Sequence, residues 1–361
     1  MSQKITFYPL GNAESVLLEL GNGKTVLFDF ADTHTDDAAD KRIDLVKELR
    51  GIRTFDVVSF SHAHDDHVKG AKDFFEFDHA KNYQGDGRAK IRELWVSSAF
   101  ILDTDLDSED ARVIRQEARY RLINGYGIKV FSAPDKLDTW LEANGLSTDD
   151  LNHPIVHAGT LLDNKSHNLG DEVEFFVHAP FSEDAEDVED KNDPSIVLQV
   201  KLHNPYCLTN ILMTGDTPHD VLEKIVNRSE ANGNEDYLRW DIYDVPHHCS
   251  YTGLSDEKGD YRTTPTEEVE KLLSSYSENG AVMIASCKPI TDNADDNQPP
   301  HLEAQKAYIH FSGEKKFYAT MEYPTKSNPK PLRYSIDSRG IQLSPIVTST
   351  LIQSPAPRAG L

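Results

Sequence analysis

Three histidines and two aspartates are crowded into His62-Ala63-His64-Asp65-Asp66-His67, directly after the apolar run Phe55-Asp56-Val57-Val58-Ser59-Phe60. That run reads as a strand, and ligand sites of α/β proteins are built just beyond the C-terminal ends of strands. In an extended segment His62 and His64 point the same way and can hold one metal ion, while Asp66 and His67 turn toward a second position. Imidazole and carboxylate suit zinc and also manganese or iron, so the set identifies a metal site better than a metal. Without an ion, clustered polar groups at a strand end need other partners if they are buried.

Two ions require more ligands than four side chains offer, which predicts further donors at later strand ends. Asp216 follows the strand-like stretch 210–214 in Thr214-Gly215-Asp216, where a carboxylate can bridge two ions. Pro246-His247-His248 follows the strand-like stretch 240–245 and offers an imidazole from either residue of the pair. Each alone is a weak signal, because an Asp after Gly commonly serves a turn or a helix N-cap and a His pair is often surface. Their common place at strand ends raises them together. Nothing resembles a Ser-His-Asp or cysteine nucleophile, and Cys249 beside the cluster reads as a small, packable residue.

The remaining pattern alternates strands with helices. Val16 to Leu20 and Lys24 to Phe30, joined by Gly21-Asn22-Gly23, predict a hairpin. A helix is expected over 40–50, and later ones over 108–124, 137–145, 217–227, 265–276 and 301–311. Strands are expected over 172–178, 195–202, 281–286 and 316–321, with the acidic stretch 183–193 a solvated connection. The expected domain is 1–343, with a partly helical insertion at about 99–170 and a flexible tail over 344–361.

The chain has 361 residues, enough for one large α/β domain or two ordinary ones. No apolar run approaches the roughly 18 residues that read as a membrane span, and no signal-like segment opens the sequence, so a cytoplasmic protein away from membranes is the expectation. Three cysteines without a CxxC argue against a disulfide framework or a thiolate cluster. A net charge of −24 repels polyanions and argues against nonspecific duplex binding, while leaving room for one local phosphate site or a protein partner.

HAHDDH, MTGDT and VPHHCS in this order resemble the metallo-β-lactamase superfamily, and most closely its branch exemplified by the nuclease-like domain of the DNA-uptake competence proteins. The segment ITFYPLGNAESVLLELGNGKTVLFDF and Asn192-Asp193-Pro194-Ser195 match that branch's first hairpin and its Asn-x-x-Ser strand start. The resemblance spans residues 4–323. It implies a four-layer αββα sandwich and a two-metal hydrolase carrying zinc or manganese, with iron an option. Its expected reaction is hydrolysis of a small phosphodiester or nucleic acid by hydroxide held between the ions; the alternatives are an ester, lactone or thioester hydrolase, or a noncatalytic partner-binding module.

On that resemblance His62 and His64 bind the first metal. Asp66, His67 and one of His247 and His248 bind the second, and Asp216 bridges. The other histidine of the pair then faces substrate. Asp29 resembles the residue that orients the ligands, and Asp193 is the expected third ligand of the first metal ahead of His157 and His178. His301, opening a helix after Pro300, is expected to contact phosphate or protonate the leaving group. The sequence departs from the branch in its first turn, in Asp29-Phe30-Ala31, and at Cys249, which stands where the branch has Gly.

Overall fold

The computed structural model describes residues 2–147, 154–162, 168–186, 192, 194–205, 207–292 and 297–346. Asp193 and most of the expected C-terminal tail lie outside the described residues.

Strands β1 (Gln3–Phe7), β2 (Val16–Glu19), β3 (Thr25–Phe28), β4 (Thr54–Phe60), β5 (Lys90–Ser97), β6 (Ile128–Phe131) and β7 (Ile155–Val156) begin one mixed sheet. A second mixed sheet follows from β8 (Thr160–Leu161), β9 (Val173–Ala179), β10 (Val197–His203), β11 (Leu208–Met213), β12 (Trp240–Asp244), β13 (Ser277–Ala285) and β14 (Phe317–Ala319). The chain then returns to the first sheet with β15 (Leu332–Asp337) and β16 (Gly340–Leu343), giving the order β16-β15-β1-β2-β3-β4-β5-β6-β7. The protein is thus α/β, with nine and seven described strands in its two sheets.

Alternation decides which sheet face meets which neighbour. In β10, Leu198, Val200 and Leu202 join a core shared with Ile5, Phe7, Val16 and Leu18 of the other sheet, so this core contains both sheets. Val197, Leu212, Tyr243 and Met283 point the other way. Both faces are therefore apolar, as buried sheets demand.

The helices are α1 (Leu45–Leu49), α2 (Asp65–Val68), α3 (Ala71–Phe74), α4 (Ser98–Leu102), α5 (Glu109–Asn124), α6 (Asp135–Ala143), α7 (Ser182–Glu186), α8 (His219–Ala231), α9 (Glu267–Ser275) and α10 (Leu302–Ser312). Leu45, Val68, Phe100, Ile114 and Leu137 pack with Leu27, Val58 and Val96 of the nine-stranded sheet. Val221, Ile225, Val269, Leu272 and Tyr308 pack with Leu212, Tyr243 and Met283 of the other.

Several sequence expectations are corrected. The helix expected over 40–50 is only Leu45–Leu49. Asp44 caps it by accepting from Lys47 N at 2.7 Å, and Asp40 is used instead on Thr35 and Arg42. Ser182–Glu186 of the acidic stretch is helical, and Glu183 and Asp184 pair with Arg228 and Lys224 of α8 rather than with water alone. Residues 99–170 contribute β6 and β7 to one sheet and β8 to the other. β15 and β16, outside the expected strands, close the first sheet against β1.

Pairing brings the chemistry together. β3 and β4 run parallel with Phe28 opposite Ser59, so their ends deliver Asp29 beside the Ser61-His62 turn. β11 and β12 are also parallel, with Leu212 opposite Tyr243, and their ends deliver Asp216 and His247-His248. The backbone N–H of Ile196, at the start of β10, donates to Ser61 O across the sheets at 3.1 Å.

Candidate metal centre

Asp29 is the first residue past β3 and adopts a left-handed φ of 55°. Its carboxylate accepts from Ser61 N and Ser61 Oγ, both at 2.7 Å, and from His67 Nδ1 at 2.7 Å. Because the Ser61 hydroxyl hydrogen is spent on Asp29, its oxygen accepts from His62 Nδ1 at 3.0 Å. One buried carboxylate thereby fixes the orientation of two histidines, directly and through Ser61. Each keeps its Nε2 for the interior of the site, the arrangement by which outer partners set a ligand's tautomer.

The two halves meet at Asp216. Its Oδ1 lies 3.1 Å from His67 Nε2 and 3.7 Å from His248 Nε2, and its Oδ2 lies 3.8 Å from His62 Nε2 and 3.9 Å from His247 Nε2. Asp66 Oδ2 is 3.3 Å from His248 Nε2, and His62 Nε2 is 3.1 Å from His64 Nδ1. Donor atoms of Asp66, His67, Asp216 and His248 fall within 4.8 Å of one another, as do those of His62, His64 and Asp66. These groups could hold a metal ion.

A test of fit comes from satisfaction. His67 Nε2, Asp216 Oδ1 and His248 Nε2 are buried without an aligned hydrogen-bond partner, although they approach one another closely. Leaving a buried polar atom unmade costs about 1–3 kcal/mol, and one cation shared by these facing atoms would satisfy all three. His248 supports this, since its Nδ1 donates to Ser286 O at 2.7 Å and presents Nε2 to the cluster.

Charge follows from the same contacts. Burial opposes charging of His67, but Asp216 and Asp29 outweigh it and hold its pKa well above the usual value. His248 is raised too, burial being overcome by Asp216 and Asp66. His62 is pushed well below by burial and by the neighbouring His67, so it is neutral and ready to ligate. Burial works against ionisation of Asp216, yet His248, His67 and His62 keep its carboxyl well below the normal range. An ion entering this cluster displaces protons from imidazoles.

The other expected residues fall elsewhere. His178 is buried, with Nε2 donating to Tyr237 O at 2.9 Å and its ring against Phe176, so it is a packed sheet histidine. His157 lies on the turn between β7 and β8, apart from both donor groups. His301 is buried outside both groups; its N–H donates to Cys249 O, its Nδ1 accepts from Tyr251 N at 3.3 Å, and its ring meets Tyr251 edge-on. Burial and Lys258 push its pKa down. Cys249 is fully buried in the helix-side core, and burial pushes its thiol up, leaving it unreactive.

Sequence reasoning missed Ser61, Thr252, Glu14 and Asp244. Glu14 N donates to Asp66 O at 3.0 Å, and burial, with the nearby Asp244 carboxyl adding to it, holds the Glu14 carboxyl well above its usual range. Burial raises Asp244 to about 7. Only Ser61, inside the Ser-His-x-His-x-Asp-His run, carried a local signal; the rest depend on contacts between distant segments. No family description and no curated protein matches this chain, so its chemistry is read from the geometry alone.

Proposed function

We propose that the chain is a dinuclear metal-dependent hydrolase of phosphodiesters, folded as the four-layer αββα sandwich of the superfamily its motifs resemble. The observation that carries this reading is Asp216, whose two oxygens face different imidazole pairs inside a buried cluster with unsatisfied donor atoms. His62 and His64 would hold one ion; Asp66, His67 and His248 would hold the other; Asp216 would bridge. Zinc and manganese suit this nitrogen and oxygen set, and iron does as well. Bound there, such ions supply hydroxide at neutral pH by lowering the pKa of water to about 7.

The chain's own part is to position. Asp29 and Ser61 lock His62 and His67, Ser286 O locks His248, and Asp216 holds the halves at fixed spacing. Phosphodiesters are preferred over acyl substrates because HAHDDH, MTGDT and VPHHCS most resemble the branch with a nuclease-like domain.

Hydrolysis of bis-p-nitrophenyl phosphate with added Mn²⁺ or Zn²⁺ tests this, with His64→Ala as the control. The expected outcome is cleavage that requires both the ion and His64. Cleavage of p-nitrophenyl acetate alone would instead assign an acyl hydrolase, and ion binding without either reaction a partner-binding module.

A second expectation concerns Asp29→Asn. Its amide oxygen can keep the Ser61 N contact, but its NH₂ then faces His67 Nδ1 and forces the hydrogen onto Nε2. Zinc affinity by chelator competition should fall about 10–100-fold, the cost typical of outer partners of ligands; unchanged affinity would contradict the orienting role.

A further inference from the structure

His247 and His248 are adjacent, yet they serve different sides of Asp216. The geometry points to a split pair, with His248 on the second ion and His247 completing the first ion with His62, His64 and Asp216. This rests on the dinuclear reading above and deepens it, because it makes His247 a ligand instead of the group left facing substrate.

The distances separate the two rings. His248 Nε2 faces Asp216 Oδ1 and Asp66, whereas His247 Nε2 faces Oδ2, the oxygen that also faces His62 Nε2. Donors about 2.0–2.1 Å from a tetrahedral ion lie roughly 3.3 Å apart. His62 Nε2 at 3.8 Å and His247 Nε2 at 3.9 Å from Oδ2 each stand about half an ångström beyond that spacing, and His247, which belongs to no group of donors within 4.8 Å of one another, has to move toward His62 for the two to share one ion.

The backbone is built for the split. His247, His248 and Cys249 have φ values of 48°, 52° and 65°, three successive non-glycine residues in the left-handed region. Non-glycine residues are disfavoured in that region, and strain of this kind persists where surrounding structure needs it. The result is two neighbouring imidazoles 6.3 Å apart between centroids and inclined at 67°, one for each carboxylate oxygen.

His247 also has a ligand's support. Thr252 Oγ1 donates to Ser250 Oγ at 2.9 Å, so its oxygen accepts from His247 Nδ1 at 3.1 Å and leaves Nε2 with its lone pair toward the site. Ser286 O does the same for His248. Of the other histidines considered for this place, His178 is committed to Tyr237 O, and His301 Nδ1 accepts from Tyr251 N with no carboxylate of the cluster in contact. The His247 side chain is 25% exposed, which puts the first ion on the solvent side of the pair.

Purified protein stripped of metal is titrated with Zn²⁺ against a chromogenic chelator, and bound zinc is counted by elemental analysis. The comparison is wild type, His247→Ala, His248→Ala and Thr252→Val, with far-UV circular dichroism on each. Two ions on wild type and about one on either histidine variant support the split, as does a 10–100-fold weakening of a single site in Thr252→Val, the variant least able to disturb the turn. Two ions on His247→Ala with unchanged affinities, or no effect in Thr252→Val, overturn it while leaving the dinuclear reading intact. Fewer than two ions on wild type overturn that reading, and the split with it.

Discussion

An Asp216→Ala variant is expected to lose hydrolysis by more than about 100-fold, beyond the range that outer partners of ligands command, and to lose its bound ions together. Every Nε2 of the candidate centre except that of His64 is described by its distance to this one carboxylate, from 3.1 Å at His67 to 3.9 Å at His247. On the proposed dinuclear reading, removing it would take a donor from both ions at once, so the two sites should fail as a pair. The fold should survive. With the carboxylate gone, the strongest pull holding charge on His67 and His248 disappears, and neutral imidazoles tolerate burial. Elemental analysis with circular dichroism and phosphodiester hydrolysis checks all three statements. Retained turnover, or retention of both ions, would remove Asp216 from the centre.

Acid should destabilise the protein through His178, away from the metal centre. Burial pushes its pKa down to about 4, with Lys201 adding to the effect and the Tyr237 carbonyl opposing it. The unfolded chain therefore takes up the proton first as pH falls. This contribution is fully present above about pH 6.5 and is lost on descent toward about pH 4, amounting to about 3 kcal/mol. His178→Gln keeps a donor for Tyr237 O but cannot ionise. Urea unfolding at pH 7 and pH 4 should show wild type losing about 3 kcal/mol more than the variant. Parallel losses would mean that His178 is solvated in the native state. The variant should also bind added zinc as wild type does, because the Nε2 it replaces is committed to a backbone carbonyl of the 3-10 turn Glu235–Tyr237.

Asp216 and His178 show how far local pattern reaches. His62, His64, Asp66 and His67 were legible because a six-residue turn after an apolar strand encodes its own geometry, and the structure puts Asp66 within reach both of His62 and His64 and of His67. Asp216 was legible through its strand-end position after Gly215, whose left-handed φ of 55° and contact distance to Ser61 leave no room for a side chain.

Boundaries were less legible where side chains competed for the backbone. The helix over 40–50 was shortened because Asp40 and Asp44 each found a local backbone donor. β15 does alternate Leu332, Tyr334 and Ile336 into the core, but its partner β1 lies at the other end of the chain, so its place on that edge, with β16 beyond it, is set by the fold.

The sequence by itself determined the α/β alternation and the donor types at three strand ends, since both follow from short-range periodicity and from chemistry carried by single residues. Only the tertiary structure decided which imidazole meets which oxygen of Asp216, that Asp29 and Ser61 lock two of them, and that His178 belongs to the core. Those outcomes depend on parallel pairing of β3 with β4 and of β11 with β12, and on a left-handed turn at His247–Cys249 that no residue there favours in isolation. Contacts between segments more than a hundred residues apart are set by how the two sheets pack, and that information is not local.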